Sequence, residues 1–383
     1  MTTDNQPNKP FVILVIQFLL KRYDFRYNEV TGYIEFRKKG ISEIKILNDR
    51  ELNTLQNLLA ENNLKISSDR LSKILLSSYI ITYNPFKDYF NSLHPWDEST
   101  DYLLKLTKTV NTTNNYLWQK CFLKWIVGVV ACIMDEDATN QEMIVLSGKQ
   151  GIGKTKWLLK LLPFKLRKYK YSGSVNANNK DTLIYLSECM FINLDELEAI
   201  KGIQLEYLKF LITKESVKLR RPYGRVSEDL PRRASFVASV NNNEFLNDLS
   251  GSRRFLCFEI LDVDYIHDIE IDAVYAQAYF LWKSGFKYWF DNEEIDEINS
   301  SNENHRIKTI EETLLFEKFE SCGENEATEI LTATEILVIL HSGNRNNVNN
   351  ASLQTLGKVL SHYKFNHAKR KKGKVYFLKP RDT

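Results

Sequence analysis

The sequence predicts an α/β fold: a largely parallel sheet carrying a phosphate-binding loop, preceded by a helical region and followed by a small helix-and-hairpin domain. Three observations predict it. An apolar run, Met143-Ile144-Val145-Leu146-Ser147, ends at a glycine-rich loop, and a helix-like Lys156-Trp157-Leu158-Leu159 follows that loop. Between 140 and 263, short apolar runs alternate with helical segments, as parallel strands joined by crossovers require. Beyond 305, helical patterns at Thr334–His341 and Ser352–His362 precede a basic stretch and the strand-like Lys374–Leu378, the order of a winged-helix-like module.

A chain of 383 residues with 43% hydrophobic content can bury a large core, and its length fits two or three domains. Boundaries are placed at 1–93 for an N-terminal α+β region, 94–290 for the nucleotide-binding core with its preceding helices, and 305–383 for the last module. In the first region, Arg26–Phe36 alternates around Thr31-Gly32 and reads as a hairpin. Leu52, Leu55, Leu58, Leu59, Leu71, Ile74 and Leu75 then give helical periodicity over Asp49–Tyr79. Asn84-Pro85 breaks the chain, Asp97–Thr100 caps a helix running from Asp101, and an apolar helix over Asn111–Asp135 leads into the loop strand. After the loop, Met190–Leu194, Ala234–Val240 and Phe255–Ile260 read as strands, while the polar, acidic Asp291–Asn304 reads as a linker.

Composition excludes several classes. The apolar run Phe11–Leu20 is too short to cross a bilayer, is interrupted by Gln17 and lacks a small-residue cleavage site, so it reads as a buried helix, as does Trp125–Met134. No membrane association is expected. Five cysteines form neither a CxxC pair nor a Cys/His cluster, which argues against zinc or a disulfide framework and fits a cytoplasmic protein. With 52 basic and 49 acidic residues the net charge is only +3, so nucleic-acid binding must come from local patches. Two stand out, Lys218–Arg233 and His367–Lys379.

The chemistry is concentrated in Gly148-Lys149-Gln150-Gly151-Ile152-Gly153-Lys154-Thr155, a G-x-x-x-x-G-K-[ST] loop. Backbone groups of Gly148, Gln150, Gly151, Ile152 and Gly153 turn toward phosphate oxygens. Lys154 neutralises β/γ charge, and Thr155 offers a hydroxyl to Mg²⁺. The expected ligands are therefore ATP and Mg²⁺. Downstream, Phe191-Ile192-Asn193-Leu194 runs into Asp195, suited to the metal shell, and Glu196, suited to orienting and deprotonating water. Asn241, at the end of another strand, either senses the γ-phosphate or holds the lytic water, or else begins a simple turn through Asn243. Arg253 and Arg254 are either cations aimed at a neighbouring subunit's γ-phosphate or surface residues at a strand start. Lys218, Arg220, Arg221 and Arg225 form a cationic hairpin that either tracks DNA phosphates or contacts a subunit or nucleotide. Lys371 and Lys372 lie in the C-terminal basic hairpin, a second candidate DNA contact.

Together Gly148–Thr155, Asp195-Glu196, Lys218–Arg225, Asn241 and Gly251–Phe255, in this order, resemble the virulence-associated protein E family, grouped with superfamily 3 helicases of phages, plasmids and integrative elements. Arg26-Tyr27-Asn28, Asn84-Pro85-Phe86 and Trp96-Asp97 look like the family's lead-in region, and the tail after Glu311 looks like the small C-terminal domain of Bacteroidetes members. The resemblance implies an AAA+ type, superfamily 3 helicase-like ATPase core that forms a ring, often a hexamer, and unwinds or translocates on single-stranded or forked DNA. No primase motif is evident upstream, so a primase, if one is used, is expected on a separate chain. A non-unwinding NTPase switch that assembles or regulates a mobile-element DNA complex uses the same residues and stays open. A small-molecule kinase is disfavoured, because Arg253-Arg254 after a sensor strand suits a ring interface better than a substrate lid.

Overall fold

The computed structural model describes residues 10–176, 181–195, 197–221, 226–246, 252–341 and 350–381. Helix α1 (Phe11–Arg22) turns Val15, Ile16 and Leu19 inward and ends in Lys21 and Arg22, cations at the negative end of the helix dipole. It passes directly into β1 (Tyr23–Asn28), which pairs antiparallel with β2 (Ile34–Lys38), Phe25 opposite Phe36. Strands β3 (Lys45–Ile46) and β4 (Ile81–Tyr83) complete a sheet of order β3-β2-β1-β4. It is covered by α2 (Asp49–Glu61) and α3 (Ser68–Leu75), capped by Asn48 and Ser67, with Leu55, Leu59, Leu71 and Leu75 in a core shared with Val15, Leu19 and Phe36. The periodicity over Asp49–Tyr79 is thus two helices, divided where Asn63 adopts φ 60°.

Asn84-Pro85 starts a helix rather than breaking the chain. The Asn84 side chain accepts from the Phe86 and Lys87 amides, and Pro85 occupies the first turn of α4 (Pro85–Asn91), where no N–H is required. Asp101 caps α5 (Tyr102–Thr107) through the Leu104 amide; a short strand, β5 (Val110–Thr112), and α6 (Asn115–Met134) follow. Among the described residues α6 is the one helix long and apolar enough to cross a membrane, and most of it is buried inside the protein. Its Trp118, Phe122 and Trp125 pack beneath the central sheet with Trp157 and Phe258.

That sheet is formed by β5, β6 (Met143–Ser147), β7 (Lys170–Gly173), β8 (Phe191–Leu194), β11 (Ser235–Ser239) and β12 (Phe255–Val263), with β9 (Ser216–Leu219) and β10 (Glu228–Pro231) set apart as an antiparallel ribbon. Its order is β5-β12-β6-β11-β8-β7, and every pairing is parallel except β12 with the edge strand β5. Helices α7 (Lys154–Lys160), α8 (Asp181–Glu188) and α9 (Ile203–Thr213) make the crossovers. The chain lays β7, β8 and β11 to one side of β6 and then sets β12 on the other. Strand order therefore reverses at β6, the position at which open α/β sheets leave a crevice beyond the strand ends.

Helix α10 (Ile271–Lys283) packs on α6. The stretch read as a linker is instead α11 (Asn292–Asn302), held by an Asp291/Glu294 capping box and by Glu294 paired with Lys124 at 2.6 Å. Then come α12 (Ile310–Lys318), β13 (Phe319–Ser321), β14 (Glu329–Thr332), α13 (Ala333–Leu340), α14 (Asn350–His362), β15 (His367–Arg370) and β16 (Gly373–Pro380). Strand β16 pairs with the other three, closing a core of Leu315, Ile336, Leu337, Leu356, Val359 and Leu378. All five cysteines are buried free thiols.

Candidate nucleotide site

Strand β6 is buried along its whole length and delivers the chain to Gly148 at the reversal point. Gly148 has φ 135°, and a Cβ there would lie 2.7 Å from the Ile260 carbonyl oxygen, so only glycine fits against β12. Gly153, at φ 102°, caps α7, and the Tyr265 ring lies where its Cβ would stand. Gln150 and Gly151 are exposed on the loop, while Ile152 packs partly against the core. Lys154 is 5% exposed. Its Nζ donates to the carbonyls of Gly148 (2.6 Å) and Lys149 (2.7 Å), with Asn241 Oδ1 at 3.5 Å. Burial holds this ammonium below the usual lysine range, against the opposing charge of Glu198.

Neighbouring strand ends supply the polar groups. Thr155 Oγ1 and Ser239 Oγ are hydrogen-bonded at 2.6 Å. In the β11–β8 register Ala238 pairs with Leu194, which puts Ser239 level with Asp195 on the next strand. Asp195 is solvent-facing, its Oδ1 accepting from Asn193 Nδ2 at 3.0 Å. Asn241 continues from β11, and its backbone N–H donates to Glu198 Oε1 at 2.5 Å, as the Asn242 N–H does at 3.0 Å. A cavity of about 420 Å³ opens here, lined by Gln150, Gly151, Gly153, Lys154, Thr155, Ser239, Asn241 and Tyr265. The structure thus gathers Lys154, Thr155 and Asn241 and sets Asp195 one strand beyond Ser239, outside the cavity wall. Glu196 lies outside the described residues. Sequence reading missed Glu198, Ser239 and Tyr265; a second carboxylate just past Asp195-Glu196 was the one available signal, for Glu198.

Arg253 and Arg254 sit at the other end of the sheet, in the 3-10 turn Ser252–Arg254 before β12. Phe255 is level with Met143 at the start of β6, so the length of β6, roughly 17 Å, separates these arginines from the loop. Arg253 is exposed, and Arg254 Nε is buried with no partner among the described residues. Both face a cavity of about 370 Å³ shared with Glu142, Glu215 and Trp289. Burial pushes the Glu142 carboxyl up to about 7, against the opposing pull of Arg232, Arg253 and Lys124.

The cationic segment is corrected in part. Lys218 and Arg220 are exposed on the β9–β10 ribbon, and Arg225 lies outside the described residues. Arg221 is buried, donating to the carbonyls of Val30 (3.0 Å) and Glu29 (2.9 Å) and pairing with Glu228 at 3.3 Å, so its guanidinium is spent inside the protein. Arg232 and Arg233 are likewise turned inward onto the carbonyls of Asn140, Ile212 and Ser187. In the C-terminal hairpin Lys371 and Lys372 are exposed at the β15–β16 turn, Lys372 lying 3.3 Å from Glu335.

Structures of the NrS-1 C-terminal region share the architecture. An apo structure of its residues 305–718 aligns with a TM-score of 0.53 at 14% identity, covering 97% of this chain and 99% of that one. A second apo form gives 0.50 at 13% identity, covering 97% and 100%. At such identities the likeness is one of fold, a mixed α/β arrangement with a parallel sheet. No curated protein matches the chain by sequence. Residues 90–307, more than half of the chain and spanning the loop, the strand ends and the arginine turn, match the virulence-associated protein E-like domain, and the chain belongs to that family.

Proposed function

We propose that this protein is an ATP-hydrolysing DNA helicase or translocase acting in the replication of a phage, plasmid or integrative element. The observation that carries the reading is the convergence of Lys154, Thr155 and Asn241 on one cavity at the reversal point of a parallel sheet, where open α/β sheets bind phosphates. The donor set fits a magnesium triphosphate: a loop in which Gly148 and Gly153 leave no room for a side chain, a buried ammonium held among the described residues by loop carbonyls and Asn241, a paired hydroxyl and a solvent-facing carboxylate. When bound, Mg²⁺ would be held through Thr155 and Asp195 and would neutralise phosphate charge. Lys154 exchanges loop carbonyls for phosphate oxygens. Asn241, anchored through its backbone by Glu198, orients water for deprotonation by Glu196.

Arg253 and Arg254, a sheet's length from their own loop, are assigned to a neighbouring subunit's γ-phosphate, which calls for head-to-tail copies closing into a ring, taken here as a hexamer. We assign residues 94–290 to an AAA+ type, superfamily 3 helicase-like core and 1–93 to an N-terminal region. Residues 305–383 are assigned to a winged-helix-like domain, supported by the order of α12, α13 and α14 before the β15–β16 hairpin. DNA contacts are assigned to Lys218, Arg220 and Arg225 and to Lys371 and Lys372, any primase is assigned to a separate chain, and the protein is placed in the cytoplasm.

Strand displacement on a forked duplex with ATP and Mg²⁺, run beside mass determination with and without nucleotide, tests the reading. ATP-dependent unwinding by a ring is expected. Hydrolysis without displacement, by a protein that still assembles, selects the NTPase-switch reading instead. Absence of ATP binding by calorimetry, together with no phosphate release in the presence or absence of DNA, removes both.

A further inference from the structure

Helix α11 and the residues after it grip the arginine turn and the segment beyond Asn241 from behind. Asn302 is 2% exposed, and its Nδ2 donates to the carbonyls of Ser252 (2.9 Å) and Phe255 (2.8 Å), one on each side of Arg253-Arg254. One turn earlier, Asn299 Oδ1 accepts from Ser252 Oγ at 2.9 Å. Three residues later the His305 carbonyl accepts from the Phe245 and Leu246 amides, both at 2.9 Å, and the Ile307 N–H donates to the Leu246 carbonyl at 2.9 Å. Arg306 anchors this segment to the C-terminal domain through Glu312 and the Tyr363 hydroxyl.

We infer that Asn302 is a positioning residue for hydrolysis: its side-chain amide fixes the backbone from which Arg253 and Arg254 project toward a neighbouring active site. The inference rests on the role given to those arginines above. A buried amide that donates to carbonyls flanking a short turn leaves that turn little freedom. An arginine acting on a phosphate is sensitive to such freedom, since a displacement of about 1 Å costs on the order of 10²-fold in rate. Asn302 lies at the end of the sheet away from Lys154, so nucleotide affinity and rate should separate when it is changed.

The test compares Asn302→Ala, the pair Arg253→Ala/Arg254→Ala, and all three changes together, in the full chain with ATP and Mg²⁺. Single-turnover phosphate release and the affinity for a fluorescent ATP analogue are read for each. Asn302→Ala is expected to release phosphate roughly 10²-fold more slowly at unchanged affinity. The triple variant should be no slower than the arginine pair, because a residue acting only through the arginines adds nothing once they are gone. Additive losses, a normal rate, or affinity falling in step with rate would each overturn the inference. Loss of rate in the arginine pair with a normal Asn302→Ala rate removes this inference alone, whereas a normal rate in the arginine pair removes the role of the turn itself. Should Asn302→Ala fail to fold, Asn299→Ala is expected to give the same non-additive pattern at about fivefold, the size of one neutral hydrogen bond, and an unchanged rate there overturns it.

Discussion

The two ends of the central sheet are built on opposite plans. Where the parallel strands finish, polar groups meet partners within the chain: Lys154 on loop carbonyls, Thr155 on Ser239, Glu198 on the Asn241 and Asn242 amides. Where they start, Arg253 and Arg254 face a hollow of about 370 Å³, and neither enters an ion pair among the described residues. The nearby carboxyl of Glu142 is pushed up to about 7 by burial, with cations opposing it. At one end the polar groups are paired with one another. The other lines a hollow with Arg253 and Arg254 beside the carboxyls of Glu142 and Glu215, with no hydrogen-bond partner for Arg254 Nε among the described residues.

The sharpest way to break this contrast is Arg253→Ala/Arg254→Ala, expected to lower steady-state phosphate release by about 10³-fold or more. Mixing these subunits with Lys154→Ala subunits should restore part of the rate, because each supplies what the other lacks; no recovery at any ratio would confine the arginines to their own chain. Lys154→Ala alone should cost on the order of 10²–10³-fold in turnover and weaken nucleotide binding by calorimetry. Gly153→Ala should reduce nucleotide affinity by roughly tenfold, since the new Cβ meets left-handed strain of about 1–3 kcal/mol and the Tyr265 ring together. Adding Tyr265→Ala relieves only the second, so partial recovery of affinity checks the geometry.

Glu142→Gln is the mildest probe. A carboxyl whose folded pKa rises to about 7 from an ordinary value of 4.5 disfavours the folded state as pH climbs through that interval, and the cost persists above it. The variant should therefore be more stable than wild type at pH 8, by roughly 1–3 kcal/mol, and indistinguishable at pH 4. Thermal melts at the two pH values decide it.

Much of the loop end of the sheet could be read from sequence because its parts are contiguous. The loop is eight adjacent residues, and β6, β8, β11 and the first half of β12 are apolar runs buried on both faces. Strand β7 was harder, since Lys170–Gly173 is a polar edge. Helix α11 escaped for a different reason: it buries only Ile298 and Asn302, so its composition reads as linker although its Asp291/Glu294 capping box is local and legible. Arg221 could not be placed, because its partners are Glu29 and Val30, nearly two hundred positions away and brought close only by folding. Glu198 belongs to the same class, becoming a partner of Asn241 only when two strands end side by side.

Strand β12 begins at the arginine turn, and its last residue is followed two positions later by Tyr265, the ring resting on Gly153. Nine residues of strand make a rod of roughly 27 Å with the arginine turn at one tip and the Gly153 loop just beyond the other. If copies close into the proposed ring, a small slide of this rod would carry news of occupancy from each member to the next. The proposed ring would then take its firing order from the same backbone that holds the sheet together, with no separate relay to build.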